Sequence, residues 1–176
     1  SPQVSPDGKN LLFVSRVYPG AKDDAANKKI AAERKARKYS ARVYETFPIR
    51  NWDRWLDDLQ THIFIQPIEN GAARDLLAGT QLTANQGFGG ASTSGGDTLQ
   101  PVWSPDSQAI VFTATLNRTA AAYSDVVTHL FQTSIIGGEP QAITRGKDSF
   151  GSPAFAPDGK SLYAIVEPNN GKIYNN

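Results

Sequence analysis

The chain has 176 residues, with 18 Lys and Arg against 17 Asp and Glu, a formal net charge of +1. That balance gives no field for steering nucleic acid or an anionic membrane surface, and no apolar stretch is long enough to span a bilayer. Cysteine is absent, which excludes disulfides, thiolate metal sites and a cysteine nucleophile.

The chain opens on Pro2-Gln3-Val4-Ser5-Pro6-Asp7-Gly8-Lys9-Asn10-Leu11-Leu12-Phe13, and this pattern is a repeat. It returns from Pro101 to Phe112, 99 residues after Pro2, and from Pro153 to Ala164, 52 residues after Pro101. Pro presets φ for a turn, Asp bonds its own backbone two residues on, and Gly tolerates positive φ. Each copy therefore predicts strand, tight turn, strand. The runs 11–14, 110–113 and 162–166 are apolar on both faces, as expected of strands covered on both sides.

After the first copy the β pattern breaks, predicting an insertion over about 19–60. Residues 21–41 are rich in Ala, Lys, Arg and Glu, which favour helix. The basic residues Lys22, Lys28, Lys29, Arg34, Lys35, Arg37, Lys38 and Arg42 are diluted by Asp23, Asp24 and Glu33, so a solvated helical excursion is expected, not a nucleic-acid surface. The following stretch, Arg42 to Asp58, mixes Tyr44, Phe47, Trp52 and Trp55 with charges. Its aromatics are expected to fasten the insertion. The same stretch also offers a surface for a ligand or partner domain, with Arg50, Trp52, Asp53, Trp55 and Asp57 as the candidate residues.

A second hairpin is predicted from His62 to Ile68 and Ala73 to Leu77, and its counterpart from His129 to Ile135 and Pro140 to Thr144. Each adds two strands to a signature hairpin. Four antiparallel strands per roughly 40 to 50 residues is the propeller unit, so the expected fold is all-β: a partial β-propeller of about two and a half four-stranded blades. The expected units are 1–79, carrying the insertion, then 80–146 with a Gly/Ser-rich leading loop over 85–97, and 147–176 as a third, truncated blade. Because an open propeller exposes strand edges, the chain is expected to be a piece of a longer protein. The alternatives are that another molecule pairs those edges or that the chain self-associates through them.

Other chemistry is weak. Asp7, Asp106 and Asp158 are single acids in hairpin turns, without the run of oxygen ligands that calcium needs. Residues 86–96 are glycine-rich with no Gly-Lys-Ser/Thr, so a mobile loop is expected there, not a phosphate cradle. Asn117-Arg118-Thr119 matches a glycosylation sequon in letters alone. No metal or cofactor is implied.

The triple Pro-x-x-Ser/Ala-Pro-Asp pattern is similar to the TolB-like propeller repeat. The stretch from Arg42-Val43-Tyr44 through Arg50-Asn51-Trp52-Asp53-Arg54-Trp55 and Asp57 to Thr61-His62-Ile63-Phe64 resembles the first blade of the prolyl oligopeptidase family, in its acylaminoacyl-peptidase and dipeptidyl-peptidase-like branch. The closing Gly171-Lys172-Ile173-Tyr174-Asn175 resembles a later blade. The resemblance implies a propeller that caps a C-terminal α/β-hydrolase domain holding Ser, Asp and His, acts on peptide substrates, and resides in the bacterial periplasm or cytoplasm. This chain departs from the family in having no Gly-x-Ser-x-Gly elbow. Gly90-Ala91-Ser92-Thr93-Ser94-Gly95 comes near it in letters only. His62 and His129, the two histidines, sit at equivalent strand positions and are expected to be structural. The Glu-Glu pair with which dipeptidyl peptidases of the family often anchor a substrate amine has no counterpart. The chain itself is expected to be non-catalytic, with a partner-binding, TolB-like scaffold as the alternative.

Overall fold

In the computed structural model of the protein, residues 2–44, 47–51, 53–93 and 96–169 are described. The resemblance at 171–175 and the candidate Trp52 lie outside them. In chain order the elements are β1 (Gln3–Val4), β2 (Asn10–Val17), α1 (Asp24–Lys35), β3 (Arg50–Asn51), β4 (Arg54–Trp55), β5 (Gln60–Pro67), β6 (Arg74–Asp75) and a one-turn α2 (Gln81–Ala84). There follow β7 (Ala91–Thr93), β8 (Gly96–Thr98), β9 (Val102–Trp103), β10 (Ala109–Ala114), β11 (His129–Ser134), β12 (Gln141–Ala142), β13 (Ser149–Phe155) and β14 (Leu162–Glu167). The protein is mostly β.

Strands β1-β2-β5-β6 form one four-stranded antiparallel sheet and β9-β10-β11-β12 another, each a simple meander. Strands β13 and β14 form a third, two-stranded sheet, and β3-β4 and β7-β8 are short hairpins. All four hairpins expected from sequence in the first two sheets are present.

The signature turn explains why each hairpin closes where it does. Asp7, Asp106 and Asp158 each accept, on one carboxylate oxygen, the amide proton two residues on, at 3.0–3.1 Å. In the first two copies a serine completes the turn. Ser5 Oγ donates to Asp7 at 2.6 Å and accepts the Asn10 amide at 2.9 Å; Ser104 Oγ does the same with Asp106 and Ala109 at 2.6 and 2.8 Å. These hydrogen bonds, the serine hydroxyl's first, hold the carboxyls of Asp7 and Asp106 below the ordinary range. The next position takes positive φ in every copy: 74° at Gly8, 61° at Ser107 and 70° at Gly159. Ser107 tolerates this strained conformation while buried, and its hydroxyl accepts the Asp7 amide of the neighbouring turn at 3.1 Å.

The second sheet lies between the other two. On one side Trp103, Ile110, Phe112 and Phe131 pack with Leu12, Ile63 and Ile65 of the first sheet, joined by Leu76, Leu77, Leu82, Phe88 and Leu99. On the other, Thr113 Oγ1 donates to Gln100 Oε1 at 3.0 Å, and the same oxygen accepts the Ser152 amide at 2.8 Å. All six residues of β10 are buried, as its two apolar faces predict. Strand β14 departs from that expectation. Among the described residues only one of its faces is covered, and Tyr163 and Ile165 are exposed.

The glycine-rich stretch also departs from expectation, because it is packed and not loose. Gly89 bridges Thr115 with hydrogen bonds of 3.1 and 2.9 Å, and Phe88 is buried. A Cβ on Gly87 would lie 2.1 Å from the Leu116 carbonyl oxygen, and one on Gly90 2.3 Å from that of Thr98. Glycine is required here by close backbone approach. Ala91–Thr93, inside the stretch that mimics a nucleophile elbow, is strand β7 paired with β8; Ser94 and Gly95 lie outside the described residues.

The buried face of the second sheet should dominate stability. Phe112→Ala should cost about 3–5 kcal/mol, and Phe13→Ala, at the register-equivalent but half-buried position, clearly less. Urea denaturation of the two variants checks this ordering.

Candidate functional site

The insertion begins with a helix whose local chemistry is complete. Asp23 caps α1 by accepting the Ala26 amide at 2.7 Å, and Asp24–Lys28 and Lys29–Glu33 pair at i,i+4. No residue of α1 is buried, so its basic run is a solvated face. The helix is held at its last turn. Arg34 forms a two-pronged ion pair with Asp58 and stacks over the Tyr18 ring, 4.5 Å from its centroid. Asn27 Oδ1 adds an acceptor for the Tyr18 amide at 2.9 Å. Partial burial opposes ionisation of Asp58, but the Arg34 hydrogen bonds outweigh it and hold the carboxyl below its ordinary range. The same bonds raise Arg34.

The sequence-derived candidates sit on the next segment. Arg50 and Trp55 are cross-strand partners in the β3–β4 hairpin. Arg50 and Asp53 are exposed. Trp55 is 57% exposed, with its ring 6.2 Å from that of Tyr44. Tyr44 Oη donates to the Leu56 carbonyl at 2.8 Å, and Arg42 reaches the Trp55 carbonyl at 3.4 Å. Asp57 forms an ion pair with Arg16 of β2 and also accepts the Leu59 amide at 3.2 Å. The structure therefore brings Arg50 and Trp55 together, leaves Asp53 in solvent, and gives Asp57 a fastening role. Among the described aromatics Trp55 and Phe47 remain exposed, and the insertion is tied down by Arg16–Asp57 and Arg34–Asp58.

A groove of about 220 Å³ lies between the start of α1 and the outer face of the first sheet, lined by Phe13, Phe64, Lys22, Asp23, Asp24 and Asp75 among others. It is smaller than the roughly 300–1,000 Å³ of small-molecule pockets and suits a single side chain. Beside it, buried His62 meets Asp75 through Nδ1 at 2.7 Å, and Gln60 Oε1 lies 3.4 Å from Nε2. Asp75 also accepts the amides of Leu77 and Ala78 at 2.8 and 3.1 Å. A serine nucleophile would have to bond Nε2; here that nitrogen faces an amide. The pair ties β5 to the turn after β6. His129, at the equivalent place, lies 3.5 Å from Thr144 Oγ1 and 6.1 Å from the Phe150 ring, and its partial burial lowers its pKa despite a backbone hydrogen bond with Gly146.

No family model matches the chain. It is 27% identical over 172 residues to Dipeptidyl-peptidase 5 of Porphyromonas gingivalis, a match covering 95% of this chain and 23% of that protein. The chain is distantly similar to a dipeptidyl peptidase. It spans about a quarter of its relative's length, so the site must be judged as part of something larger in that relative.

The fasteners Arg16, Arg34 and Asp58 were not legible in the sequence, because their partners are distant in it. Phe13–Phe64 was not read either, although its signal was available: Phe13 and Phe112 occupy the same place in the first two signatures.

Two outcomes are expected. Asp58→Asn should free α1 and speed tryptic cleavage around Lys35 to Lys38 several-fold, with Asp53→Asn as an unaffected control. Because the folded pKa of His129 lies below its ordinary value of 6.5, the contribution is intact above that value and is lost as pH falls through the lowered one. Urea midpoints should therefore decline on mild acidification, and less steeply in His129→Gln.

Proposed function

We propose that the chain is part of the β-propeller cap of a serine oligopeptidase of the acylaminoacyl-peptidase and dipeptidyl-peptidase-like kind. Units 1–79, 80–146 and 147–176 are successive blades, and the cap gates and orients peptides for an α/β-hydrolase domain carried elsewhere in the protein. The observation that carries the proposal is the identity of plan between the first two sheets. Each starts from the same serine-aspartate turn, runs as a four-stranded meander, and places a phenylalanine pair and a histidine at matching register positions. The match to a dipeptidyl peptidase along nearly the whole chain supports the same reading.

In this proposal the exposed Arg50–Trp55 hairpin, with Asp53, faces the space between cap and hydrolase. Asp57 holds its base through Arg16. In this proposal catalysis belongs to the hydrolase domain of the parent.

The expected coding sequence beyond Asn176 contains a Gly-x-Ser-x-Gly hydrolase domain, whereas a stop after a few more repeats would instead mean a non-catalytic scaffold of the TolB-like kind. In the full-length enzyme, joint Trp52→Ala and Trp55→Ala substitution should lower kcat/KM on peptides by about tenfold while leaving a small ester substrate unaffected. Unchanged peptide kinetics with normal stability would remove the hairpin from the site.

A further inference from the structure

Three pairs of adjacent basic residues occur in the chain, all in the insertion: Lys28-Lys29, Arg34-Lys35 and Arg37-Lys38. The fold treats them differently. Lys28 and Lys29 lie inside α1 and pair with Asp24 and Glu33. Arg34 and Lys35 belong to its last turn, where Asp58 and the Tyr18 ring clamp Arg34. Arg37 and Lys38 lie just past the helix, in a stretch where 36–43 are all exposed and none belongs to a helix or strand. The Arg37 amide still reaches the Arg34 carbonyl at 3.3 Å, but from 38 to 43 no backbone hydrogen bond is made among the described residues. Arg37 rests 5.9 Å from the centre of the exposed Tyr39 ring, and no ion pair holds Arg37 or Lys38 among the described residues. Beyond the stretch, Tyr44 Oη bonds the Leu56 carbonyl at 2.8 Å. The segment is therefore unpaired along its backbone and fixed at both ends.

We propose that Arg37-Lys38 is a processing site, cut after Lys38 by an endopeptidase specific for paired basic residues, and that the product is a two-piece protein that keeps its fold. Such an enzyme draws its substrate out as an extended strand and pairs with its backbone, which a helix resists and an unpaired, exposed stretch allows. Carboxylates in its pockets take the two cations. Water adds across the Lys38–Tyr39 peptide bond, leaving a carboxylate on Lys38 and an ammonium on Tyr39. The pieces 1–38 and 39–176 stay joined because other bonds span the cut. Strands β2 and β5 pair from Asn10 opposite Pro67 to Val17 opposite Gln60, and Arg16–Asp57 and Arg34–Asp58 each link one piece to the other. Leu12 of the first piece stays in the core with Ile63 and Phe112 of the second. The proposal depends on the insertion's local structure and not on the peptidase reading, and either can fail alone.

Limited digestion of the folded chain with an endopeptidase specific for paired basic residues tests this, with products identified by mass spectrometry. One early cut is expected, after Lys38. Cleavage after Lys29 and Lys35 should be slower by about tenfold or more, because the helix must open first. The two pieces should co-elute at the size-exclusion volume of the intact 19.0 kDa chain, keep its circular dichroism, and part only in urea. The joint variant Arg37→Gln and Lys38→Gln should stay uncut over the same interval, because the remaining pairs lie in α1. Circular dichroism checks its folding, and joint Arg37→Ser and Lys38→Ser replaces it if that fails. An early cut at either helical pair overturns the proposal, as does a chain left intact. So do pieces that separate in native buffer, and a glutamine variant cut at the wild-type rate.

Discussion

The contact on which the rest of the molecule depends is the burial of the Phe112–Phe131 pair against Leu12, Ile63 and Ile65. A two-stranded hairpin is marginal alone, and a larger sheet gains its stability by burying an apolar face. Laying the second sheet on the first gives both a dry side, and Leu76, Leu77, Leu82, Phe88 and Leu99 close the core around that join. Everything between the strands is arranged so that this contact forms. Asp75 accepts the amides of Leu77 and Ala78, which turns the chain inward, and Glu139 of the second sheet's loop accepts the amides of Gln81 and Leu82 at the start of α2, at 2.8 and 2.9 Å. The carboxylate thereby satisfies two donors that a one-turn helix leaves open.

The serine-aspartate turn is the local counterpart of that long-range contact. Its serine and aspartate satisfy the amides two and five residues on from within the turn itself, so the closing of each hairpin has a local cause. The variation at its last position then couples turns to one another. Glycine suffices at Gly8 and Gly159, whereas Ser107 accepts a strained φ of 61° and uses its hydroxyl on the Asp7 amide. Local strain is exchanged for a bond between two sheets whose sequences are about a hundred residues apart.

The legible parts of the fold were those whose cause is local. Pro-Asp-Gly turns and alternating apolar runs carry their geometry within a few residues, so the hairpins of the first two sheets could be read directly. The insertion's helix was legible from its run of Ala, Lys, Arg and Glu, and the structure adds the Asp23 cap and the i,i+4 pairs. Its attachment was not, because Arg16–Asp57 and Arg34–Asp58 join residues 41 and 24 apart, and nothing in a run of mixed charges says which acid meets which base. Aromatic residues suggested burial, but Phe47 and, on the β3–β4 hairpin, Trp55 stay exposed. The glycines at 87–90 suggested looseness, when what they supply is room for the backbone at Leu116 and Thr98. Of the candidate site, the hairpin pairing Arg50 with Trp55 lies where the β pattern breaks and was not read, and the separate duty of Asp57 follows only from where β2 lies.

The two histidines show how a repeat separates architecture from chemistry. His62 and His129 share a position, yet their partners differ. Asp75 stands opposite Phe64, whereas Ala142 stands opposite Phe131, and His129 turns to Thr144 instead. A catalytic imidazole needs one specific orienting group and one specific nucleophile. Here the same position is satisfied by a carboxylate in one sheet and lies beside a hydroxyl in the other, and both rings rest against a phenylalanine, Phe88 and Phe150. What the position requires is a flat, half-polar ring that fills space beside an aromatic while finding a local polar partner. The charge relay suggested by His62–Asp75 is therefore a consequence of packing.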